Sequence, residues 1–444
     1  MNPQVSALRR RQTIDALRRG AVPESGLGLL AVGLDRFTRA INEELATVAA
    51  GGSVFKAIRG EYGSGKTFFT RWLAERARAT SLATTEVQIS ENETPLHRLE
   101  TVYRRLTERL ITSTFPASAI RPVIDTWFYA LEEDVVARGD IDPDDLAALT
   151  PAVNALLDQR LATVARSTPA FAAALRAYRA ATLIGDTATA DAVLAWLSGQ
   201  PHVSAAARRV AGVRGDLDHT AALGFLQGLL TVLRDAGHPG LLLVLDEVET
   251  LQRVRADARD KALNALRQLI DEVYTGRFPG LYLIITGTPA FYDGTQGAQR
   301  LAPLAQRLAT DFTTDPRFDN PRAVQLRLPG FTHASLVELG GKVRDLYAVD
   351  HPEADRILAA VEDRLLETLA DAVAGQLGGK VGVAPRIFLK KLVADVLDRV
   401  DQFPDFDPRR HYHLTLTASE LTDVEANAAG LGARTVDDIN LTLP

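Results

Sequence analysis

Five short runs of apolar residues occur along the chain, and each is followed by a polar or glycine-containing break. Val, Ile and Leu dominate them with little polar alternation, which is typical of strands covered on both faces. We therefore predict strands at residues 54–58, 85–89, 241–245, 281–285 and 323–328. Helical periodicity lies between them, for example at 67–79, 95–110 and 257–274. This alternation predicts an α/β fold with a five-stranded, mainly parallel sheet.

The interval from residue 90 to residue 240 interrupts the alternation, because it has no strand-like run and is rich in alanine. We interpret residues 114–237 as a large helical insertion between two parts of the sheet core, 1–113 and 238–331. Helical patterning resumes at 332–400 and predicts a C-terminal helical lid. Residues 401–444 have too few apolar positions for a domain of ordinary size and are predicted to be a C-terminal extension.

Composition excludes several kinds of chemistry. The 444 residues include no cysteine, which rules out disulfides, thiolate metal sites and cysteine nucleophiles. No apolar run is long enough to cross a bilayer, and the N-terminus has no apolar signal core, so we expect a cytoplasmic protein that does not bind membranes. The net charge of −6 argues against nucleic-acid binding through bulk charge. It does not exclude binding through a local patch of basic residues.

Residues 60–67, GEYGSGKT, directly follow the first predicted strand and fit the phosphate-binding pattern G-x-x-x-x-G-K-[ST]. Glycines let backbone amides turn towards a phosphate, and the following helix adds the positive end of its dipole. Lys66 would reach the β- and γ-phosphates, and the Thr67 hydroxyl would bind Mg²⁺. The residues predicted to bind the nucleotide here are Gly60, Gly63, Ser64, Gly65, Lys66 and Thr67.

Two adjacent carboxylates end the third predicted strand, in the sequence LLLVLDE at residues 241–247. In a P-loop protein, Asp246 would bind Mg²⁺ and Glu247 would polarise the water that attacks the γ-phosphate. The same two acids would also suit the first turn of a helix, because the helix dipole favours negative charge there. The P-loop upstream favours the catalytic interpretation.

Three further residues are candidates for the catalytic site. Thr286 ends the fourth predicted strand and is expected to orient the attacking water, with Thr288 as the alternative and a turn-closing threonine as the other interpretation. Arg307 lies where an arginine finger for a neighbouring subunit often sits, which predicts a homo-oligomer. Arg386 follows a proline at a predicted helix start and would reach the nucleotide from the lid. For both arginines, a surface position is the alternative.

The P-loop, the acid-ended strand, the polar end of the fourth strand and the Pro-Arg pair in a helical lid together resemble AAA+ and STAND-type ATPases, above all the origin-recognition-like members. Residues 31–37, AVGLDRF, are similar to the segment of that class that packs against adenine. This implies contacts of Gly33 and Leu34 with the nucleotide, and it implies ATP as that nucleotide. Residues 325–331, QLRLPGF, resemble the passage from sheet to lid.

Three segments also resemble the ATP-binding proteins of BREX-type phage-defence systems: residues 11–23 (RQTIDALRRGAVP), 60–67 and 89–97 (ISENETPLH). The resemblance extends over roughly residues 9–397 and implies protein partners that are helicase-like or methyltransferase-like. Origin-binding relatives carry a C-terminal winged helix that grips DNA. The residues after 401 are too few for one, so any DNA binding is expected to use another surface.

Two functions are consistent with these features. The leading hypothesis is an ATPase that hydrolyses ATP to move the lid relative to the core. The alternative is a nucleotide-gated interaction module that binds ATP with little hydrolysis and recruits a partner through the helical insertion. A P-loop kinase is disfavoured, because the adjacent Asp246 and Glu247 suit attack by water.

Overall fold

The computed structural model describes residues 6–139, 141–142, 144–378 and 385–430. The predicted lid, 332–400, and the predicted C-terminal extension, 401–444, therefore lie partly outside the described residues. The chain divides into two compact units, which are described separately below. The sheet unit comprises residues 39–59 and 76–326, and the lid unit comprises residues 1–38, 60–75 and 327–444.

The strands of the described residues form a five-stranded sheet with the order β2-β3-β4-β1-β5, which is P-loop-like. The strand pairs β2 with β3, β3 with β4, and β4 with β1 are all parallel. The predicted α/β fold class and the predicted number of strands are therefore confirmed. The strands are β1 Val54–Arg59, β2 Ala83–Gln88, β3 Leu241–Asp246, β4 Leu281–Gly287 and β5 Gln325–Arg327.

Strands β3 and β4 are buried along their whole length, as their continuous apolar sequences predict. The register of the sheet brings the carboxyl ends of four strands to one edge. Arg59 of β1 lies beside Gly287 of β4, and Gln88 of β2 lies beside Asp246 of β3. Ligands of open parallel sheets bind outside this edge, so its side chains are the first candidates for a functional site.

Helices occupy most of the remaining chain, and several begin at a residue whose side chain accepts a backbone N–H. Asp186 caps α10 and Asp218 caps α12 in this way. The helices are α1 Ala7–Arg18, α2 Leu27–Leu30, α3 Asp35–Ala49, α4 Lys66–Ala79, α5 Leu99–Glu108, α6 Ile120–Ala137, α7 Leu146–Arg160, α8 Ala162–Ser167, α9 Pro169–Leu183, α10 Thr187–Leu197, α11 Ala205–Val210, α12 His219–Asp235, α13 Ala256–Tyr274, α14 Pro289–Asp293, α15 Ala302–Leu308, α16 His333–Ala348, α17 Ala354–Ala360, α18 Asp363–Gln376, α19 Pro385–Lys390, α20 Asp398–Gln402, α21 Pro408–His411 and α22 Asp423–Ala428. Short 3₁₀ turns lie at Val248–Gln252, Ala298–Arg300, Pro316–Phe318 and Ala418–Glu420, and a π-helix joins α19 to α20 at Lys391–Leu397.

In the sheet unit, one apolar cluster includes both strand residues, such as Leu243 and Leu283, and residues of the helices between β2 and β3, such as Trp127 and Phe225. The helices that follow β2 are therefore packed into the same core as the sheet. The boundaries 114–237 of a separate insertion domain stay a prediction.

In the lid unit, a second apolar cluster is formed mainly by α16, α18, α19 and the π-helix, with Leu336, Leu366 and Phe388 fully buried. Ile14 and Leu17 of α1 belong to the same cluster, so the N-terminal helix is part of this core. Over the residues that the structure describes, no helix is long and apolar enough to cross a membrane.

Candidate functional site

The loop between β1 and α4 has a backbone that depends on its glycines. Gly63 and Gly65 have φ values of 81° and 89°, in the left-handed region that side chains with a Cβ disfavour. Gly60 has a different constraint, since a Cβ there would overlap the Ser64 hydroxyl. The shape of the loop thus requires its three glycines, two of which, Gly60 and Gly65, are fixed by the sequence pattern.

Lys66 begins α4, and its ammonium group lies within the curve of this loop. Its Nζ donates hydrogen bonds to the carbonyls of Gly60 (2.9 Å) and Glu61 (3.3 Å), and the centre of the Tyr62 ring lies 5.1 Å away. The side chain of Lys66 is buried, with 8% of its surface exposed. The loop carbonyls thereby hold the Lys66 ammonium group inside the turn.

Ser64 provides the clearest sign that the loop is built for a ligand. Its hydroxyl is buried and has no hydrogen-bond partner among the described residues. Buried polar groups in native proteins are nearly always satisfied, so an exception calls for a missing partner. The loop, its ammonium group and this hydroxyl together fit the oxygens of a phosphate group. Thr67, the second residue of α4, is half-buried.

The carboxyl ends of β3 and β4 carry a second group of polar residues, which lies in the sheet unit. Thr286 donates its hydroxyl proton to Asp246, and the backbone N–H of Glu247 donates to Asp246 Oδ1 and Thr286 Oγ1, both at 3.1 Å. Asp246 and Thr286 are buried, with 5% and 0% exposed. Thr288 is also buried, two residues further along the chain. The structure therefore brings Asp246, Glu247 and Thr286 into one hydrogen-bonded group.

Glu247 has an unusual backbone and a fixed side chain. Its φ of 60° lies in the left-handed region, which costs a residue other than glycine roughly 1–2 kcal/mol. Its carboxylate accepts a hydrogen bond of 2.9 Å from the Gln88 side-chain amide. Gln88 was not among the residues predicted from sequence. The sequence feature that could have identified Gln88 is its place as a polar residue at the end of β2, at the same edge of the sheet.

Two contacts hold the end of β1, immediately before the loop. Arg59 pairs with both carboxylate oxygens of Asp293, and the Tyr292 hydroxyl donates to the Ile58 carbonyl at 3.2 Å. Burial raises the pKa of Tyr292 well above its ordinary value, and the Glu249 carboxylate acts in the same direction. Tyr292 therefore stays protonated and keeps its donor role.

The two predicted catalytic arginines and the two predicted base-contacting residues lie apart from the group at the ends of β3 and β4 in the sequence, and each has its own surroundings. Arg307 donates to both oxygens of Asp271 and to the carbonyl of Pro303. Arg386 donates to Glu425, and both arginines are thus bound to carboxylates of their own chain. Gly33 is exposed and has a φ of 71°, with open space around it, and Leu34 is half-buried beside it. The functional roles of these residues stay predictions.

Comparison with known proteins identifies one family. The family model described as BREX system ATP-binding protein BrxC/D matches residues 5–416, which is almost the whole chain. No curated protein gives a significant match.

Proposed function

The chain belongs to the family of BREX system ATP-binding proteins BrxC/D, which serve in phage defence, and on that premise we propose that it hydrolyses ATP. The observation that carries the proposal is the group at the ends of β3 and β4. A strained Glu247 is fixed there through its backbone N–H to Asp246 and Thr286. Backbone strain that the surroundings enforce is concentrated at functional sites.

The predicted nucleotide-binding residues and the strand-end residues have distinct roles in this hydrolysis. The amides of residues 60–65 and the Lys66 ammonium bind the phosphates, and Gly33 and Leu34 contact the base. Asp246 and the Thr67 hydroxyl offer the hard oxygen ligands that Mg²⁺ prefers. Mg²⁺, when bound, neutralises part of the charge on the phosphates. Thr286 holds Asp246 in place, and the Glu247 carboxylate takes a proton from the attacking water. The proposal couples this reaction to movement of the helical lid.

The test of hydrolysis is the substitution Glu247→Gln. We expect ATP turnover to fall about 10²–10⁴-fold while ATP binding is retained, because the carboxylate acts mainly in the transition state. Turnover is measured by phosphate release and binding by titration with a fluorescent ATP analogue. Glu133→Gln, which removes an exposed carboxylate from α6, is the matched control and should behave as the parent. Parental turnover in Glu247→Gln would show that the role is wrong.

A second function is favoured by the way the charged side chains are engaged. Glu247 is held by Gln88, and both candidate arginines are paired with carboxylates. These contacts would keep hydrolysis slow in the isolated chain, as expected of a nucleotide-gated interaction module. The protein acts with other members of its system. Steady-state hydrolysis of the protein alone, and then with DNA and with helicase-like or methyltransferase-like proteins of the system, distinguishes the two functions.

A further inference from the structure

The C-terminal residues of the lid unit form a segment that lies along the lid helices. We call residues 403–430 the C-terminal strap. Six of its side chains are half-buried against the apolar cluster of the lid unit, and they are Phe406, Tyr412, Leu414, Leu416, Leu421 and Ala429. The Gln376 amide of α18 also donates to the Leu414 carbonyl at 3.2 Å. The strap is therefore a folded part of the lid unit.

Two glutamates of the strap form ion pairs with basic side chains of the lid helices. Glu425, which is 3% exposed, accepts hydrogen bonds from Arg386 Nε at 2.9 Å and 3.2 Å, and it pairs with Nη2 of the same guanidinium. The Thr422 N–H and hydroxyl donate to the same carboxylate at 2.8 Å and 3.0 Å. This reciprocal cap orients Glu425 before it meets the arginine.

Glu420 makes the second contact. Its carboxylate accepts hydrogen bonds from Lys391 at 2.9 Å and 3.1 Å and from Lys390 at 3.4 Å, while its backbone carbonyl accepts one from Arg386. Burial opposes ionisation of Glu420, but the bonds from Lys391 and Thr417 outweigh it and lower its pKa to about 2. The charge that holds the strap is therefore fully present at neutral pH.

The position of Arg386 in its helix explains why it requires an anion. It is the second residue of a helical run that continues from α19 through the π-helix to α20. A positive charge at a helix N-terminus is opposed by the helix dipole. A Cβ added at Gly20 would lie 3.2 Å from Arg386 Nη1, so there is little free space between the guanidinium and this backbone. Arg386 is thus constrained on one side, unfavourably placed in its helix, and neutralised by Glu425.

We propose that the C-terminal strap is an intramolecular inhibitor. Its residues Glu425 and Glu420 form ion pairs with basic side chains of the lid unit and thereby keep Arg386 from binding the phosphates of ATP. The inference rests on the proposed function, because it needs ATP to bind, and on the prediction from sequence that Arg386 reaches the nucleotide. Phosphate offers a guanidinium several anionic oxygens, so it competes with a carboxylate for the same group. ATP and the strap then exclude each other at Arg386.

The π-helix supports this role. Residues 391–397 depart from α-helical geometry at the place where Lys391 turns its buried side chain to Glu420 and Asp395. Single π-helical turns occur frequently at functional sites. Lys391, the first residue of this π-helix, would lose its contact with Glu420 when the strap leaves.

The test compares ATP affinity in four full-length proteins. They are the parent, the double variant Glu420→Gln/Glu425→Gln, the same double variant with Arg386→Ala, and the control Asp405→Asn. Asp405 is an exposed strap carboxylate with no ion-pair partner in the part of the chain that the structure describes. If the strap holds Arg386 in roughly nine of ten molecules, its release tightens ATP binding by up to about tenfold. Asp405→Asn should match the parent, and the triple variant should lose the gain.

The outcomes separate the two proposals. A parent that does not bind ATP contradicts the proposed function and this inference with it. A parent that binds ATP, with a folded double variant of equal or weaker affinity, contradicts the inference alone. Hydrogen exchange of the unmodified protein gives an independent measurement. Backbone amides of residues 417–430 should exchange faster with saturating Mg²⁺ and ATP, and unchanged or slower exchange would overturn the strap's inhibitory role.

Discussion

The backbone conformation of single residues explains why the loop between β1 and α4 requires glycine. Gly65 has a φ of 89°, and a Cβ there would meet the Phe331 ring at 3.6 Å, an ordinary contact distance. The need for glycine therefore comes from the backbone and not from crowding. Gly185, after α9, has a φ of 72° and open space around it. Replacing either glycine by a residue with a Cβ would strain the backbone in the same way, but only Gly65 lies in the loop.

We predict that Gly65→Ala and Gly185→Ala each lower the free energy of unfolding by about 1–2 kcal/mol, because each forces an alanine into the left-handed region. Only Gly65→Ala should weaken ATP binding, since its altered backbone misdirects the loop amides. Urea denaturation measures the first quantity and titration with a fluorescent ATP analogue the second. Equal ATP affinity in both variants would mean that the loop does not bind the phosphates.

At the scale of elements, a buried lysine joins α3 to the sheet. Lys56 of β1 is 1% exposed, and its Nζ donates to the carbonyls of Pro321 (3.0 Å) and Ala323 (2.9 Å). It also pairs with Glu44 of α3, which accepts the hydroxyl proton of Tyr282 in β4. Burial raises the pKa of Tyr282 well above its ordinary value, with Glu44 as the next cause. One carboxylate thus holds a helix and two strands together.

We predict that Glu44→Ala lowers the free energy of unfolding by roughly 3–5 kcal/mol, because it leaves the Lys56 ammonium buried without its counter-charge. Glu43→Ala is the matched control on the same helix. Glu43 pairs with Arg39 and Arg322 at an exposed position, so its loss should leave the urea midpoint close to that of the parent. Similar midpoints in the two variants would show that the buried network does not stabilise the sheet unit.

At the scale of the whole molecule, the question is whether several chains complete one site. Arg307 of α15 was predicted to serve a neighbouring subunit, and it pairs with Asp271 of α13. Arg267 donates to the same carboxylate at 2.8 Å. If Arg307 acts in a second subunit, its ion pair with Asp271 must break. Arg267 would then still neutralise the Asp271 carboxylate.

We predict that Arg307→Ala lowers ATP turnover about 10³-fold, as loss of an arginine finger does, whereas Arg267→Ala stays near the parent. Both variants remove one cation from Asp271, so a difference between them cannot come from that carboxylate alone. Turnover per chain should rise with protein concentration, and light scattering with Mg²⁺ and ATP should give a mass above the 48.1 kDa of one chain. Equal turnover in the two variants, or a monomeric mass with concentration-independent activity, would contradict the oligomer.

The sequence by itself determined the elements that depend on local pattern. β3 and β4 were predicted because every residue in them is buried, which leaves an apolar run without alternation. The loop between β1 and α4 was predicted because residues 60–67 fit a local sequence pattern, and its backbone does require glycine at Gly65. Asp246 and Thr286 were each predicted as strand-end residues, and parallel strands bring such residues to one edge of a sheet.

Only the tertiary structure decided which side chains bind each other. Gln88 and Glu247 are 159 residues apart, Arg386 and Glu425 are 39 apart, and Arg307 and Asp271 are 36 apart. With 50 basic and 56 acidic residues, the chain allows a very large number of ion pairs, and no local pattern distinguishes among them. Burial on both faces of a strand is recorded in consecutive residues, whereas the partner of a charged side chain depends on how distant elements pack. The strand order and the strap on the lid belong to this second kind of information.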